Sequence, residues 1–250
     1  MQQIFIDNND IVDDKITVTG DDANHLINAV RIKAGEQIRV STSSEESYLC
    51  EVDTTSEGVL VLKVIDTLLS TELSSRITLY QAIPKGDRME TILEKCTELG
   101  AYRIVPIEME RCVVKLDDKK KAKRLERYER IAESAAQQSK RSCIPCVVPF
   151  MTLDEAIKES ESADILRIVP YENKNGMTDT VNVLNEVKNY KEIAVFIGPE
   201  GGFAPKEIEA LQVGENTKLI SLGKRILRTD TAAITMVAAL MIELEKTEIK

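Results

Sequence analysis

Residues Val195-Phe196-Ile197-Gly198-Pro199-Glu200-Gly201-Gly202-Phe203-Ala204-Pro205-Lys206-Glu207 run from an apolar strand through glycines into a helix. The first three are strand formers with no charge between them, as in a strand buried on both faces. Gly198, Gly201 and Gly202 let the backbone turn sharply or approach a ligand closely. Pro205 suits the first position of a helix. The order returns at Ile220-Ser221-Leu222-Gly223-Lys224-Arg225-Ile226-Leu227-Arg228-Thr229-Asp230-Thr231: strand, glycine, basic loop, helix. Thr229 or Asp230 is predicted to cap that last helix, which is apolar on nearly every face. Two such units in succession imply an α/β fold with a parallel sheet, and ligands of such sheets sit beyond the carboxyl ends of the strands. Neither loop is a GxGxxG or P-loop pattern, so no dinucleotide or triphosphate is predicted. Each loop read alone is either a ligand loop or a plain tight turn. Ile226 and Leu227, apolar within a basic loop, are predicted to line a pocket or a partner surface.

Upstream, the same alternation reaches back to residue 76. Residues 77–83, 103–107, 165–169 and 192–197 read as strands. Residues 88–99, 119–138 and 153–160 read as helices, the first with a capping box at Asp87 and Glu90 and with Gly100 just past its end. In Gln81-Ala82-Ile83-Pro84-Lys85-Gly86-Asp87, Lys85 and the following Arg88 sit where phosphate could be met, or on an ordinary surface turn. Residues 1–70 have another rhythm. Short β-branched runs at 4–6, 15–18, 36–40, 48–52 and 59–64 predict a small β-barrel, with a short helix from Asp21-Asp22 to Val30. Residues 67–75, rich in Ser and Thr, read as the linker. The expected domains are 1–70 and 76–250.

The chain has 250 residues with 33 basic and 42 acidic side chains, a net charge of −9. That balance by itself favours a small-molecule enzyme over a nucleic-acid binder, whose footprint is basic. Basic residues do cluster locally, at 119–130, at Lys140-Arg141 and at Lys224-Arg225 with Arg228. No secretion signal and no bilayer-length apolar run is visible, so a cytoplasmic protein is expected. Five cysteines then imply reduced thiols. Cys143-Ile144-Pro145-Cys146 has redox or metal spacing, but no second pair accompanies it and His25 is the only histidine. The cysteines read as small buried hydrophobes.

Taken together, these segments resemble the ribosomal RNA small subunit methyltransferase E family, a branch of the SPOUT superfamily. The resemblance rests on His25-Leu26 with Ala29-Val30-Arg31 and on 95–100 with 104–106. It rests further on 132–141 ahead of Pro145, on 197–202 and on 222–231. Asp230 stands where the family carries Glu, and Asn24 where a second His is frequent. The resemblance implies an N-terminal PUA-like barrel and a C-terminal α/β domain with a deep trefoil knot. It also implies a homodimer that methylates N3 of a uridine in 16S rRNA, within the assembled small subunit, with S-adenosylmethionine as donor and no metal. By the same resemblance the donor lies among Val169, Pro170, Ile197, Gly198, Pro199, Glu200, Gly201, Gly202, Leu222, Gly223, Ile226 and Leu227. Arg228 is the expected electrostatic catalyst, and Glu200 either the base or a binder of donor polar groups. Arg31, Lys85, Arg88, Lys140 and Arg141 are the expected RNA contacts, with the basic helix from Lys119. Two alternatives stand: ribose 2′-O-methylation of another RNA, and a non-catalytic RNA-binding assembly factor.

Overall fold

A computed structural model describes residues 1–8, 11–214 and 216–246. The chain divides into two compact units: Met1–Glu72 with Ala136–Ile144, and the remainder.

The first unit is a six-stranded sheet built from β1 (Gln2–Ile6), β2 (Ile11–Val12), β3 (Lys15–Thr19), β4 (Gln37–Thr42), β5 (Ser47–Ser56) and β6 (Val59–Leu68). The spatial order is β1-β4-β5-β6-β3-β2, antiparallel except for β1 against β4. Alternation explains its core: in β3, Ile16 and Val18 point in while Lys15, Thr17 and Thr19 point out. Ile38, Val40, Val52, Leu60 and Leu62 join them. Register shifts at Leu49/Cys50 and Val52/Thr54 bend β5 and β6, as bulges do. The helix predicted from Asp21 divides into α1 (Gly20–Asn24) and a π-helical turn (His25–Val30), closed by Arg31 at φ 59°. β6 runs on into the stretch read as linker.

The second unit contains β7 (Arg76–Ala82), α2 (Arg88–Glu98), β8 (Ala101–Glu108), α3 (Asp118–Ser139), β9 (Cys146–Val147), β10 (Met151–Thr152), α4 (Leu153–Glu159), β11 (Ile165–Pro170), α5 (Thr178–Glu186), β12 (Glu192–Ile197), α6 (Pro205–Leu211), β13 (Thr217–Ile220) and α7 (Thr229–Glu245). Only the last turn of α3 groups with the first unit. The sheet is wholly parallel, ordered β10-β8-β7-β12-β11-β13, with β9 also on β8. Ile77, Leu79, Ile104, Leu166, Ile168 and Val195 face a core shared with α2 and α7. Tyr80, Val105, Ile107, Val169 and Phe196 face the opposite core, where Tyr80 and Phe196 stack at 4.5 Å. Each fully buried Leu, Ile or Val contributes roughly 1.5–3 kcal/mol, so a seven-stranded sheet with two apolar faces needs no staple.

Local rules hold unevenly. Gly100 follows α2 at φ +92°, and a Cβ there would lie 2.8 Å from Leu73 Cδ1. The expected box at Asp87 and Glu90 does not form: Asp87 makes no side-chain cap, and Glu90 pairs instead with Arg127 at 2.7 Å. A capping box does form at Thr152 and Glu155, ahead of α4. Thr229 is the first residue of α7 and not its cap; Arg228 takes that position with extended backbone. α5 stands in a segment the sequence reading passed over.

Candidate active site

The parallel register aligns Ile197 with Gln81 and Pro170 with Ile220. The segments that follow β7, β11, β12 and β13 therefore leave one edge of the sheet. β13 lies at the end of the strand order, yet α7 begins beside β7 and β12. Residues 221–228 must therefore pass over the ends of β11 and β12.

A short hydrogen-bond chain fixes that return. Gln81 Nε2 donates to Ala82 O at 2.8 Å and to Thr229 Oγ1 at 2.9 Å. Thr229 Oγ1 donates onward to Gly198 O at 2.8 Å. Ala82 O can only accept, so the amide orientation of Gln81 is determined. Gln81 is fully buried, and its Oε1 has no partner among the described residues. Asp230 Oδ1 is a second buried acceptor without one. Such orphans cost about 1–3 kcal/mol each unless a ligand or water donates to them. Thr180 ties the other loop down, donating to Ser221 O at 2.7 Å.

The 198–204 loop is tightly made. A Cβ on Gly198 would lie 3.0 Å from the buried Phe203 ring, and one on Gly201 3.1 Å from Arg111 Cβ. Gly202 takes φ +67°, with its N–H on Pro199 O and the Glu172 carboxylate against its Cα. Arg111 donates to Gly201 O and Phe203 O at 3.0 and 3.1 Å. Glu207 accepts the Ala204 and Glu110 N–H groups and so anchors α6.

Glu200 accepts the Lys85 N–H at 3.0 Å and pairs with Arg88 Nη1 at 2.5 Å. Burial pushes its pKa up, but the Lys85 amide and the Arg88 guanidinium outweigh burial and hold it below the ordinary carboxylate value. A carboxylate held this way is a weak proton acceptor. Lys85 is exposed; Arg88 is half-buried and occupied by Glu200.

The 221–228 loop is open. Gly223 adopts φ +108° with nothing within 4 Å of a would-be Cβ. Leu222 and Leu227 are half-buried, Lys224, Arg225 and Arg228 exposed. Ile226 is 92% exposed, so it does not line a pocket within this chain. Val169 and Ile197 are buried under the loops and Pro170 is half-buried.

In the first unit, Arg31 is exposed and Lys140 half-buried, both with left-handed backbone. Arg141, expected above as an RNA contact, is 3% exposed and its guanidinium pairs with Glu72. The cysteine reading is corrected in part. Cys50, Cys96 and Cys112 are buried, but Cys146 is exposed and Cys143 half-buried. Burial still pushes the Cys143 thiol up to about 12, far from a reactive thiolate. No group of three or more His, Cys, Asp or Glu among the described residues could hold a metal ion. No helix among them is long and apolar enough to cross a membrane.

Residues 71–241 match a model of the RNA methyltransferase domain, and residues 18–64 one of the RNA methyltransferase PUA domain. The ribosomal RNA small subunit methyltransferase E of Bacillus subtilis is 32% identical over 92% of this chain and 90% of its own. The chain belongs to the ribosomal RNA small subunit methyltransferase E family. Its namesake from Rickettsia conorii is 27% identical over 94% of this chain and 93% of its own. A crystal structure of the methyltransferase E of Neisseria gonorrhoeae, bound to S-adenosyl methionine, superposes with a TM-score of 0.83. It is 27% identical and covers 96% of each chain. The curled sheet thus carries the PUA domain of this family and the parallel sheet its RNA methyltransferase domain. Gln81, Thr180 and Arg111, which brace the loops, were not singled out by the sequence. Gln81 had a signal: an uncharged polar side chain at the end of a buried strand.

Proposed function

We propose that this chain transfers the methyl group of S-adenosylmethionine to N3 of a uridine in 16S rRNA, as a homodimer acting on the small ribosomal subunit. One observation carries the reading: two glycine loops converge through Thr229 on a site with unmatched buried acceptors. Those acceptors, Gln81 Oε1 and Asp230 Oδ1, suit the amino and hydroxyl donors of S-adenosylmethionine. Val169, Ile197, Leu222 and Leu227 give apolar walls for its adenosine, and the 198–202 backbone lies close enough for direct contact. When bound, the donor supplies an electrophilic methyl on a sulfonium that leaves as a neutral thioether.

The protein then has two tasks, to hold N3 in line and to ease loss of its proton. Orientation of this kind supplies up to about 7–11 kcal/mol. Arg228, exposed at the start of α7 and without an ion pair among the described residues, is the cation for the negative charge that spreads over the uracil carbonyls. Glu200 is better suited to anchoring Arg88 and Lys85 than to taking the proton. The target base must be turned outward to present N3. A trefoil knot would follow from the path of residues 221–228 across β11 and β12. The homodimer is supported by α7, whose Ile234, Ala238, Ala239 and Met241 are only half-buried and whose Ile242 is 59% exposed.

The test is methyl transfer from labelled S-adenosylmethionine to unmethylated small subunits and to naked 16S rRNA, read by nucleoside mass spectrometry. N3-methyluridine, formed chiefly on subunits, is the expected product. A different methylated nucleoside overturns the target, and no transfer overturns the enzyme.

A further inference from the structure

β11 and α5 are joined by Tyr171-Glu172-Asn173-Lys174-Asn175-Gly176-Met177, and both ends of this segment are tied to the glycine loops. The Tyr171 ring meets Phe203 edge-on at 6.4 Å, and Phe203 backs Gly198. The Glu172 carboxylate lies against Gly202. At the far end, Thr180 Oγ1 donates to Ser221 O at 2.7 Å and accepts the Ser221 N–H at 3.2 Å. Lys174 closes the turn, pairing with Asp179 at 3.0 Å. Asn175 and Gly176 stand at the apex, both exposed.

Asn175 is the only asparagine of the chain that precedes a glycine. Such a pair is labile because the backbone nitrogen after the asparagine can attack the side-chain amide, and glycine has no Cβ to hinder it. A fold suppresses the attack by bonding that N–H or by holding the asparagine amide. Neither restraint acts here. The Gly176 N–H and the Asn175 side chain make no hydrogen bond among the described residues. Gly176 takes φ +84°, and nothing lies within 4 Å of a would-be Cβ. The neighbouring asparagines are protected. Asn173 precedes Lys174, and its Nδ2 donates to Tyr171 Oη at 2.8 Å. Asn182 lies within α5 and precedes the β-branched Val183.

We propose that Asn175-Gly176 is a site of spontaneous deamidation that loosens the donor site as the protein ages. The Gly176 nitrogen forms a bond to Asn175 Cγ. The Cγ–Nδ2 bond breaks, and the proton of the Gly176 nitrogen leaves with the amide as ammonia. Water then opens the resulting succinimide at one of its two carbonyls. Opening at Cγ gives aspartate; opening at the main-chain carbonyl gives isoaspartate, whose backbone runs through Cβ and Cγ. Either product places a carboxylate beside Lys174, where it competes with Asp179. Isoaspartate also inserts one bond between the Tyr171 and Thr180 anchors, and so draws Thr180 away from Ser221. The chemistry stands apart from the proposed function; its effect on S-adenosylmethionine rests on that reading.

The experiment uses the full chain, aged in mildly alkaline buffer and followed by peptide mass mapping and by calorimetric binding of S-adenosylmethionine. The peptide holding Asn175 should gain aspartyl and isoaspartyl forms well ahead of any change at Asn173 or Asn182. Donor affinity should fall about 5- to 10-fold as conversion completes, the worth of one lost hydrogen bond. Asn175→Gln, whose longer side chain cannot close the succinimide ring, should stay intact and keep its affinity throughout. Equal rates at the three asparagines overturn the modification site. Conversion at Asn175 with undiminished donor affinity, or the same decline in Asn175→Gln, overturns its effect on the donor site. A fresh parent that binds no donor overturns the functional reading, while the mass map still decides the site.

Discussion

The two glycine loops differ in how much room they leave. Around Gly198 and Gly201 a single methyl group would meet Phe203 or Arg111; the backbone is bonded to Thr229, Arg111 and Glu207, and the Glu200 carboxylate takes the Lys85 N–H. Around Gly223 there is open space, and Ile226 and Arg228 extend outward. The first loop is a preformed floor whose glycines are required by packing. The second is a rim whose glycine is required by its backbone angle and whose side chains are free to meet something else. In the proposed reaction the first loop gives the donor a rigid seat, while Ile226 and Arg228 of the second face outward.

The contrast is most exposed to refutation at Arg228. Arg228→Ala should lower kcat roughly 100- to 1000-fold, in the range of lost transition-state donors, with donor affinity nearly intact. Steady-state kinetics with calorimetry would check it, and a large loss of donor binding would move Arg228 to the floor. Next comes the brace between the loops. Thr229→Val leaves Gly198 O and Gln81 Nε2 each short of a partner and should cost about 1–3 kcal/mol in denaturant unfolding. Thr229→Ser, which keeps the hydroxyl, should recover most of it. Gly198→Ala should also cost about 1–3 kcal/mol, by overpacking against Phe203, and should weaken donor binding. An unchanged melting temperature there would mean the floor gives way more easily than its geometry implies.

Of the two loops, acid should act on the floor. The Glu200 pKa lies below its ordinary value of 4.5. The Arg88–Glu200 pair therefore stabilises fully above about 4.5 and loses this as pH falls through the lowered value. Glu200→Gln should flatten that part of the stability profile, measured by thermal melts across acid pH. The smallest effect is expected at the rim: Ile226→Ser should leave stability within about 0.5 kcal/mol. Any loss of methyl transfer it causes then reports a contact outside this chain.

Strand and helix placement in the second unit was legible because a sheet buried on both faces writes itself as uncharged runs, such as residues 193–197. The loops were legible because glycine is the residue that survives crowding. Less legible was anything resting on a choice between partners. Glu90 had the spacing for a capping box, but Arg127, 37 residues on, took it. Thr152 and Glu155 carried the same signature and kept it, the Glu155 carboxylate accepting the Thr152 N–H and the Glu155 N–H donating to Thr152 Oγ1. Thr229 looked like a cap and became a brace, because the chain returning from β13 set Gly198 O within its reach. Arg141 and Arg39 show the same dependence. Both are arginines in the first unit, yet Arg141 pairs with Glu72 while Arg39 bonds the hydroxyls of Ser47 and Ser142.

By itself the sequence determined most of the strands and helices, the glycine loops and, through resemblance, the family. Only the tertiary structure decided which polar groups are matched and which are left over. The physical reason is range. Periodicity and propensity act within a few residues, whereas the partners of Gln81, Glu72 and Arg141 lie 148, 69 and 69 positions away along the chain. Their choice is made by what the closed core brings together.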